Sequence, residues 1–259
     1  MQTVLFHSTI FGPIHSRRLG ISLGINLMPN DGKICSFDCL YCEAGFNAQG
    51  PGTDGVPTRE AVRKGLRRKL KAMKEAGEQL DVITFSGNGE PTLHPKFAEV
   101  VHDVLELRNE FYPMAKVSVL SNATTAGRAD VKKALLAVDN NILKLDSAIA
   151  ATMRALNRPQ HPSLLPVVVI EDLKQYQGKC IVQTMMLRGE WEGKRIDNTT
   201  DAEVNALIGA YKEIAPTEIM IYSIDRATPA QQLEKVPMEE LQAIGHRIEA
   251  ATGIHVQVN

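Results

Sequence analysis

Short apolar runs alternate along the chain with longer segments whose apolar positions recur every three or four residues. The short runs, at 21–28, Val82–Phe85, 116–120, 142–145, 181–186 and 218–222, predict strands, and a last run at 254–258 predicts an edge strand. The longer segments predict helices at 59–77, 95–110, 128–137, 164–176, Asp201–Ile214 and Met238–Thr252. In the first of these, Val62, Leu66, Leu70 and Met73 fall on one stripe. Thr58 and Asp201 are expected N-caps, and Gly253 an expected helix stop. Six strand–helix repeats predict a parallel sheet with crossover helices. That is too few for an eight-fold barrel, so the expected α/β fold is a partial (β/α)6 parallel barrel. It occupies residues 21–259 as one domain, with residues 1–20 an N-terminal extension, a hairpin covering one end of the barrel.

In such folds chemistry gathers at the C-terminal ends of the strands. The chain's unusual residues recur there. A cysteine loop follows the first strand and Ser86-Gly87-Asn88-Gly89-Glu90-Pro91 the second. Ser121-Asn122 follows the third, and Asp146-Ser147 the fourth with Lys144 just before it. Gln183 lies in the fifth, and Ser223, Asp225 and Arg226 follow the sixth. Glycines at 87 and 89 would let backbone approach a ligand, and Glu90 would accept from a cation. Lys144 and Asp146 share strand parity, so both are expected inside the barrel, paired with each other or with a ligand.

The cysteine loop is Cys35-Ser-Phe-Asp-Cys39-Leu-Tyr41-Cys42, a Cys-x3-Cys-x2-Cys spacing. Three thiolates are one short of the four that close a [4Fe–4S] cube, which leaves one iron free. A zinc site completed by His7, His15 or Cys180 is the alternative. Charge is nearly balanced, at −1 with histidines neutral, so it argues neither for nor against nucleic acid. No apolar run reaches membrane-spanning length, and the N-terminus lacks a secretory layout. No membrane partner and a reduced cytoplasm are the expectation, which suits an oxygen-sensitive cluster and argues against a disulfide.

The cysteine spacing resembles the signature of the radical S-adenosylmethionine (radical SAM) superfamily, and the glycine segment resembles its Gly-Gly-Glu motif with Asn88 interposed. The resemblance implies a [4Fe–4S] cluster on Cys35, Cys39 and Cys42, with SAM chelated by the free iron. An electron from the cluster then splits SAM to a 5′-deoxyadenosyl radical, which takes hydrogen from a substrate. It implies SAM contacts from Tyr41, Gly87, Asn88, Gly89, Glu90, Ser121, Asn122, Lys144, Asp146 and Gln183. Further segments, Phe11-Gly12-Pro13, Ser16-Arg17-Arg18-Leu19-Gly20, Leu156-Asn157-Arg158-Pro159 and Asp225-Arg226, resemble the wyosine-base synthases of tRNA. The three extra cysteines of that subgroup's second cluster are missing here; Cys180 is alone outside the first motif and is expected to be a buried small hydrophobe. Arg17, Arg18, Arg158, Asp225 and Arg226 are the candidate substrate contacts, the substrate being a tRNA base, a small metabolite or a glycyl-radical partner protein. The competing class is a non-catalytic zinc or iron–sulfur binding protein. The basic run Arg59, Arg63, Lys64, Arg67, Arg68, Lys69, Lys71 and Lys74 is a solvated face, or a dock for RNA or for a reductant such as flavodoxin or ferredoxin.

Overall fold

The structure, a computed structural model, describes residues 4–16 and 20–259. Seven strands run parallel: β2 (Gly20–Ile25), β3 (Val82–Phe85), β4 (Lys116–Ser121), β5 (Asn140–Lys144), β6 (Ile181–Trp191), β8 (Glu218–Ser223) and β10 (Val256–Val258). They pair in that order, and β1 (Ile10–Ser16) adds an antiparallel edge beside β2. Among the described residues the two edges do not pair, so the sheet is an open, partial barrel of the kind the strand–helix alternation predicts. The helices α1 (Arg59–Glu75), α2 (Phe97–Phe111), α3 (Ala129–Ala137), α4 (Ala150–Asn157), α5 (Pro166–Lys174), α6 (Asp201–Ile214) and α7 (Met238–Thr252) make the crossovers.

Strand parity divides the apolar residues into two layers. Leu23, Ile83, Phe85, Val117, Val119, Leu143, Val182, Ile219 and Ile221 point outward and are buried under the helices. The α1 stripe of Val62, Leu66, Leu70 and Met73 packs onto them at 0–1% exposure. Inside the barrel a separate small cluster forms from Leu120, Ile142, Ile181 and Met220. The rest of the inner wall is polar: Ser22 and Thr84 hydroxyls meet at 2.8 Å, and Asn140 Nδ2 donates to Ser118 Oγ at 3.0 Å. The inner wall is thus filled by short side chains on one flank and aliphatic ones on the other.

Thr58 caps α1, its hydroxyl accepting from Ala61 N, and Gly253 ends α7 at φ +71°. The cap of α6 is Thr200 and not Asp201; Thr200 accepts from Glu203 N, and Asp201 sits in the first turn, where its charge suits the helix dipole. Two features depart from the sequence pattern. The helix α4 was not expected. The strand β6 runs on to Trp191 and pairs with β7 (Lys194–Asp197) and β9 (Leu233–Lys235) as an antiparallel ribbon beyond the barrel. β1 pairs antiparallel with β2 and lengthens the sheet edge. Residues 4–9 bond the segments that follow β2, through Val4 N to Glu43 O and Asn26 N to Thr9 O.

Candidate functional site

The loop after β2 carries the three cysteines to the C-terminal ends of the strands, where four neighbours clamp it. Ile34 bridges to Gly89: Ile34 N donates to Asn88 O, and Glu90 N donates to Ile34 O. Ser36 Oγ meets Thr124 Oγ1 at 2.6 Å. Asp38 N and Leu40 N donate to the carbonyls of Asn157 and Leu156 at the end of α4, and Gln160 N donates to Ser36 O. Ala230 N donates to Leu40 O. Inside the loop, buried Lys33 donates to Gly45 O and faces Asp38 at 3.7 Å. Cys39 is buried, and Cys35 and Cys42 are half-buried. Burial first, then the nearby carboxylate of Glu90, holds the Cys35 thiol well above its ordinary range; burial and Asp146 push Cys39 up to about 11. Two carboxamides reach the sulfurs: Asn122 Nδ2 at 3.5 Å from Cys35 Sγ and Asn157 Nδ2 at 3.4 Å from Cys39 Sγ.

The glycines of the β3 loop are packed closely against their neighbours. A Cβ on Gly89, at φ +135°, would lie 1.9 Å from Ile34 O, and one on Gly87, at φ +150°, would lie 2.4 Å from Asn26 Oδ1. The space a Cβ would need is taken by Asn26 and Ile34. Asn88 is fully buried and its side chain is committed: Nδ2 donates to the carbonyls of Phe6 and Pro29, and Oδ1 accepts from Phe6 N. The Asn88 side chain thus clamps the N-terminal segment and the Pro29 carbonyl to the β3 loop.

Glu90, 2% exposed, accepts from Thr92 N and Oγ1, from Ser121 Oγ, and from Asn122 N at 2.6 Å. These donors are all neutral. Burial outweighs them and raises the Glu90 carboxyl above its ordinary value. Ser121 and Asn122 thus face Glu90 and the cysteine loop; Asn122 also donates to Ser36 Oγ and accepts from Thr124.

Across the barrel mouth, Lys144 and Asp146 pair at 3.6 Å. Asp146 accepts from Met185 N, from Asn157 Nδ2 and from the Tyr41 hydroxyl. Lys144 donates to Tyr222 Oη at 2.8 Å and lies over the rings of Tyr41 and Tyr222. Burial works against the Lys144 charge, but Asp146 and Tyr222 outweigh it and its pKa moves up. Tyr41 is held by Asp146, and burial drives its hydroxyl well above the ordinary range. Gln183, 7% exposed, is the register neighbour of Lys144, and the described residues give its carboxamide no hydrogen-bond partner.

Two of the substrate candidates, Arg158 and Arg226, reach the cysteine loop through Asp38 and Glu43. Arg17 and Arg18 lie outside the described residues. Arg158, in the left-handed region at φ +49°, sits over the rings of Phe46 and Trp191 and 3.4 Å from Asp38. Arg226 pairs with Glu43 and Asp225 with Lys235, both in exposed positions. On α1, Arg59 and Arg63 bond Asp103, Arg63 also Glu106, and Arg67 Glu110, so one flank of the basic run is a ladder onto α2. Sequence reasoning missed Asn157, Thr92, Tyr222, Phe46 and Trp191. Asn157 lies inside the Leu156–Pro159 segment, whose sequence does not show that its carboxamide meets a cysteine sulfur.

No family model matches the chain. In solved structures it is similar to Streptococcus suis SuiB bound to S-adenosylmethionine (TM-score 0.64, 14% identity, 91% of this chain and 50% of that one). It is also similar to TYW1 with a lysine-pyruvate adduct bound (TM-score 0.62, 15% identity, 88% and 73%). At those identities the likeness is one of fold: this is the partial barrel that radical SAM enzymes use. Among curated proteins, 255 residues are 24% identical to a protein named GTPase Obg from Brachyspira hyodysenteriae, of which the chain spans 35%. No Gly-x4-Gly-Lys-Ser/Thr phosphate loop occurs in the present sequence. A UPF0026 protein of Methanocaldococcus jannaschii is 33% identical over 186 residues, 68% of this chain and 53% of that one. The UPF0026 protein of Synechocystis sp. is 30% identical over 275 residues, 96% of this chain and 95% of that one. Matched over nearly the full length of both, the chain belongs to the UPF0026 family.

Proposed function

We propose that the chain is a radical SAM enzyme, in which Cys35, Cys39 and Cys42 hold a [4Fe–4S] cluster and SAM is cleaved reductively for hydrogen abstraction from a substrate in the barrel. The observation that carries this reading is the cysteine loop at the strand ends, clamped by the Gly89–Glu90 loop on one side and Asn157 on the other. The donor set suits the group. A single zinc ion, with Zn–S bonds of about 2.3 Å, draws its sulfurs to within roughly 4 Å of one another. Among the described residues, the side-chain set grouped closely enough for one metal ion is His102, Asp103 and Glu106 on α2, and the three cysteines are not such a set. Two carboxamide N–H groups aimed at sulfur also suit thiolate ligands of a cluster. When bound, the cluster supplies an open iron site and one electron for SAM cleavage.

The chain's own residues would position the cofactor. Glu90 is a buried carboxylate with neutral donors only, and a buried charge ordinarily has a charged partner. Its Oε2 accepts one bond and has room for another, so the SAM ammonium is the cation assigned to it. Gln183 and the remaining N–H of Lys144 would face the rest of the ligand at the barrel mouth, above the apolar floor of Leu120, Ile142, Ile181 and Met220. Asp146 is spent on the protein and acts by holding Tyr41 and Lys144. Flavodoxin or ferredoxin is the reductant this chemistry calls for, and the wyosine-type segments favour a tRNA base as substrate. Anaerobic reconstitution with iron and sulfide, followed by SAM and dithionite, is expected to give 5′-deoxyadenosine. A colourless protein with stoichiometric zinc and no nucleoside product would overturn the reading.

A further inference from the structure

Asn157 closes α4 at 1% exposure, beside the sulfur that lies deepest. Its Nδ2 stands 2.6 Å from Asp146 Oδ2, 3.3 Å from Tyr41 Oη and 3.4 Å from Cys39 Sγ. A carboxamide nitrogen carries two hydrogens. The shortest contact claims one for Asp146. The Tyr41 hydroxyl gives its own proton to Asp146 but its oxygen can still accept, so the second N–H of Asn157 is shared between Tyr41 Oη and the Cys39 sulfur. Behind Asp146 stands Lys144, at 3.6 Å, which donates in turn to Tyr222. A polar chain therefore runs from the Cys39 sulfur through Asn157, Asp146 and Lys144 to the inner wall of the barrel. Cys35 has a looser counterpart: Asn122 Nδ2 lies 3.5 Å away and divides its donors with Ser36 Oγ at 2.9 Å.

We infer that Asn157 is a positioning residue that sets the reduction potential of the iron–sulfur cluster, by donating to Cys39 while it joins that sulfur to the Asp146–Lys144 pair. The inference rests on the cluster reading above. A hydrogen bond to a ligand sulfur stabilises the more electron-rich, reduced form, and outer partners of this kind tune metal sites. The Asp146 carboxylate opposes reduction through the same link, and Lys144 offsets it. The Leu156–Pro159 segment thereby gains a role that Arg158 alone does not explain.

The test is an EPR-monitored redox titration of the full, anaerobically reconstituted chain, with iron and sulfide quantified in each variant. Asn157→Leu keeps the volume and removes the donor; its potential is expected below that of the wild type. Asn157→Asp, which sets a second carboxylate beside the sulfur, is expected lower still. Arg154→Ala, exposed on the same helix, is expected to match the wild type. Asp146→Asn is expected to raise the potential, and to raise it less in an Asn157→Leu background, since the link is then cut. Wild-type potentials in fully loaded Asn157→Leu and Asn157→Asp overturn the inference while the cluster reading stands. Should the Asn157 variants fail to load iron, Asp146→Asn decides: an unchanged potential overturns it. A wild-type chain that takes up no iron and sulfide fails at the earlier step, and the inference falls with it.

Discussion

Two buried carboxylates flank the cysteine loop, and they are solved differently. Glu90 and Asp146 are each 2% exposed, and each ties one strand-end loop to its neighbour through several hydrogen bonds. Asp146 has a cation of its own in Lys144. Glu90 has backbone and hydroxyl donors and no cation among the described residues. The first is complete within the fold; the second has its charge solvated but not neutralised. A buried acid of the second kind is costly unless it serves a ligand, and this asymmetry is what supports the proposed cationic group at Glu90.

That contrast can be broken by mutation, starting with the greatest effect. Asp146→Ala leaves Lys144 without its partner and strands Tyr41 and Asn157; a loss of about 3–5 kcal/mol is expected in urea unfolding. An unchanged midpoint would mean the pair contributes nothing to the fold. Gly89→Ala introduces a Cβ at 1.9 Å from Ile34 O and a side chain at φ +135°. The backbone strain alone is about 1–3 kcal/mol, and iron uptake should drop because Ile34 precedes Cys35. Full iron uptake by this variant would show that the Ile34 bridge does not shape the loop.

Glu90→Gln is expected to cost less stability than Asp146→Ala, about 1–3 kcal/mol, yet to weaken SAM binding by about tenfold or more, measured by calorimetry on the reconstituted protein. Equal SAM affinity in both forms would remove the proposed ammonium partner. The same residue gives a pH signature. Its native carboxyl titrates above the ordinary 4.5, so the folded state holds the proton more tightly than the unfolded one. Its contribution to stability is whole below 4.5 and is lost as pH rises through the native value. Wild type should therefore lose stability relative to Glu90→Gln over that window, while SAM affinity climbs with ionisation. Parallel stability curves for the two proteins would contradict this. At the small end, Asp103 is a third shielded acid, on α2 and far from the loop, whose carboxyl the Arg59 guanidinium holds below its ordinary value. Arg63→Ala leaves Arg59 in place and should cost about 1 kcal/mol or less; a larger loss would mean this exposed ladder is part of the core's support.

The elements that failed to show in the sequence share a cause. The α4 segment, Ala-Ala-Thr-Met-Arg-Ala-Leu-Asn, makes two turns and has no side-chain cap, so it is too short to display a period. Its stability comes from what it docks against, with Met153, Leu156 and Asn157 buried. The β6–β7 ribbon does carry a local signal: Glu192-Gly193, both at positive φ, is a two-residue hairpin turn between Trp191 and Lys194. For the site, the cysteine spacing and the strand-end placement of Glu90, Ser121, Asn122, Lys144 and Asp146 were legible. The partners were not. At Gly87 and Gly89 the sequence shows that a Cβ is missing but not the neighbours, Asn26 and Ile34, that occupy its place.

What the chain determined by itself was everything local or periodic: apolar stripes that bury one face of each helix, strand parity, and three thiols within eight residues. Those follow from 3.6- and 2-residue repeats and from covalent spacing, which any short window contains. What only the tertiary structure decided was which polar atoms meet. Asn157 and Cys39 are 118 positions apart, and Tyr41 and Asp146 are 105. Such contacts are fixed by the packing of whole strands and helices, so a buried donor finds its acceptor only after the fold has brought both to one place.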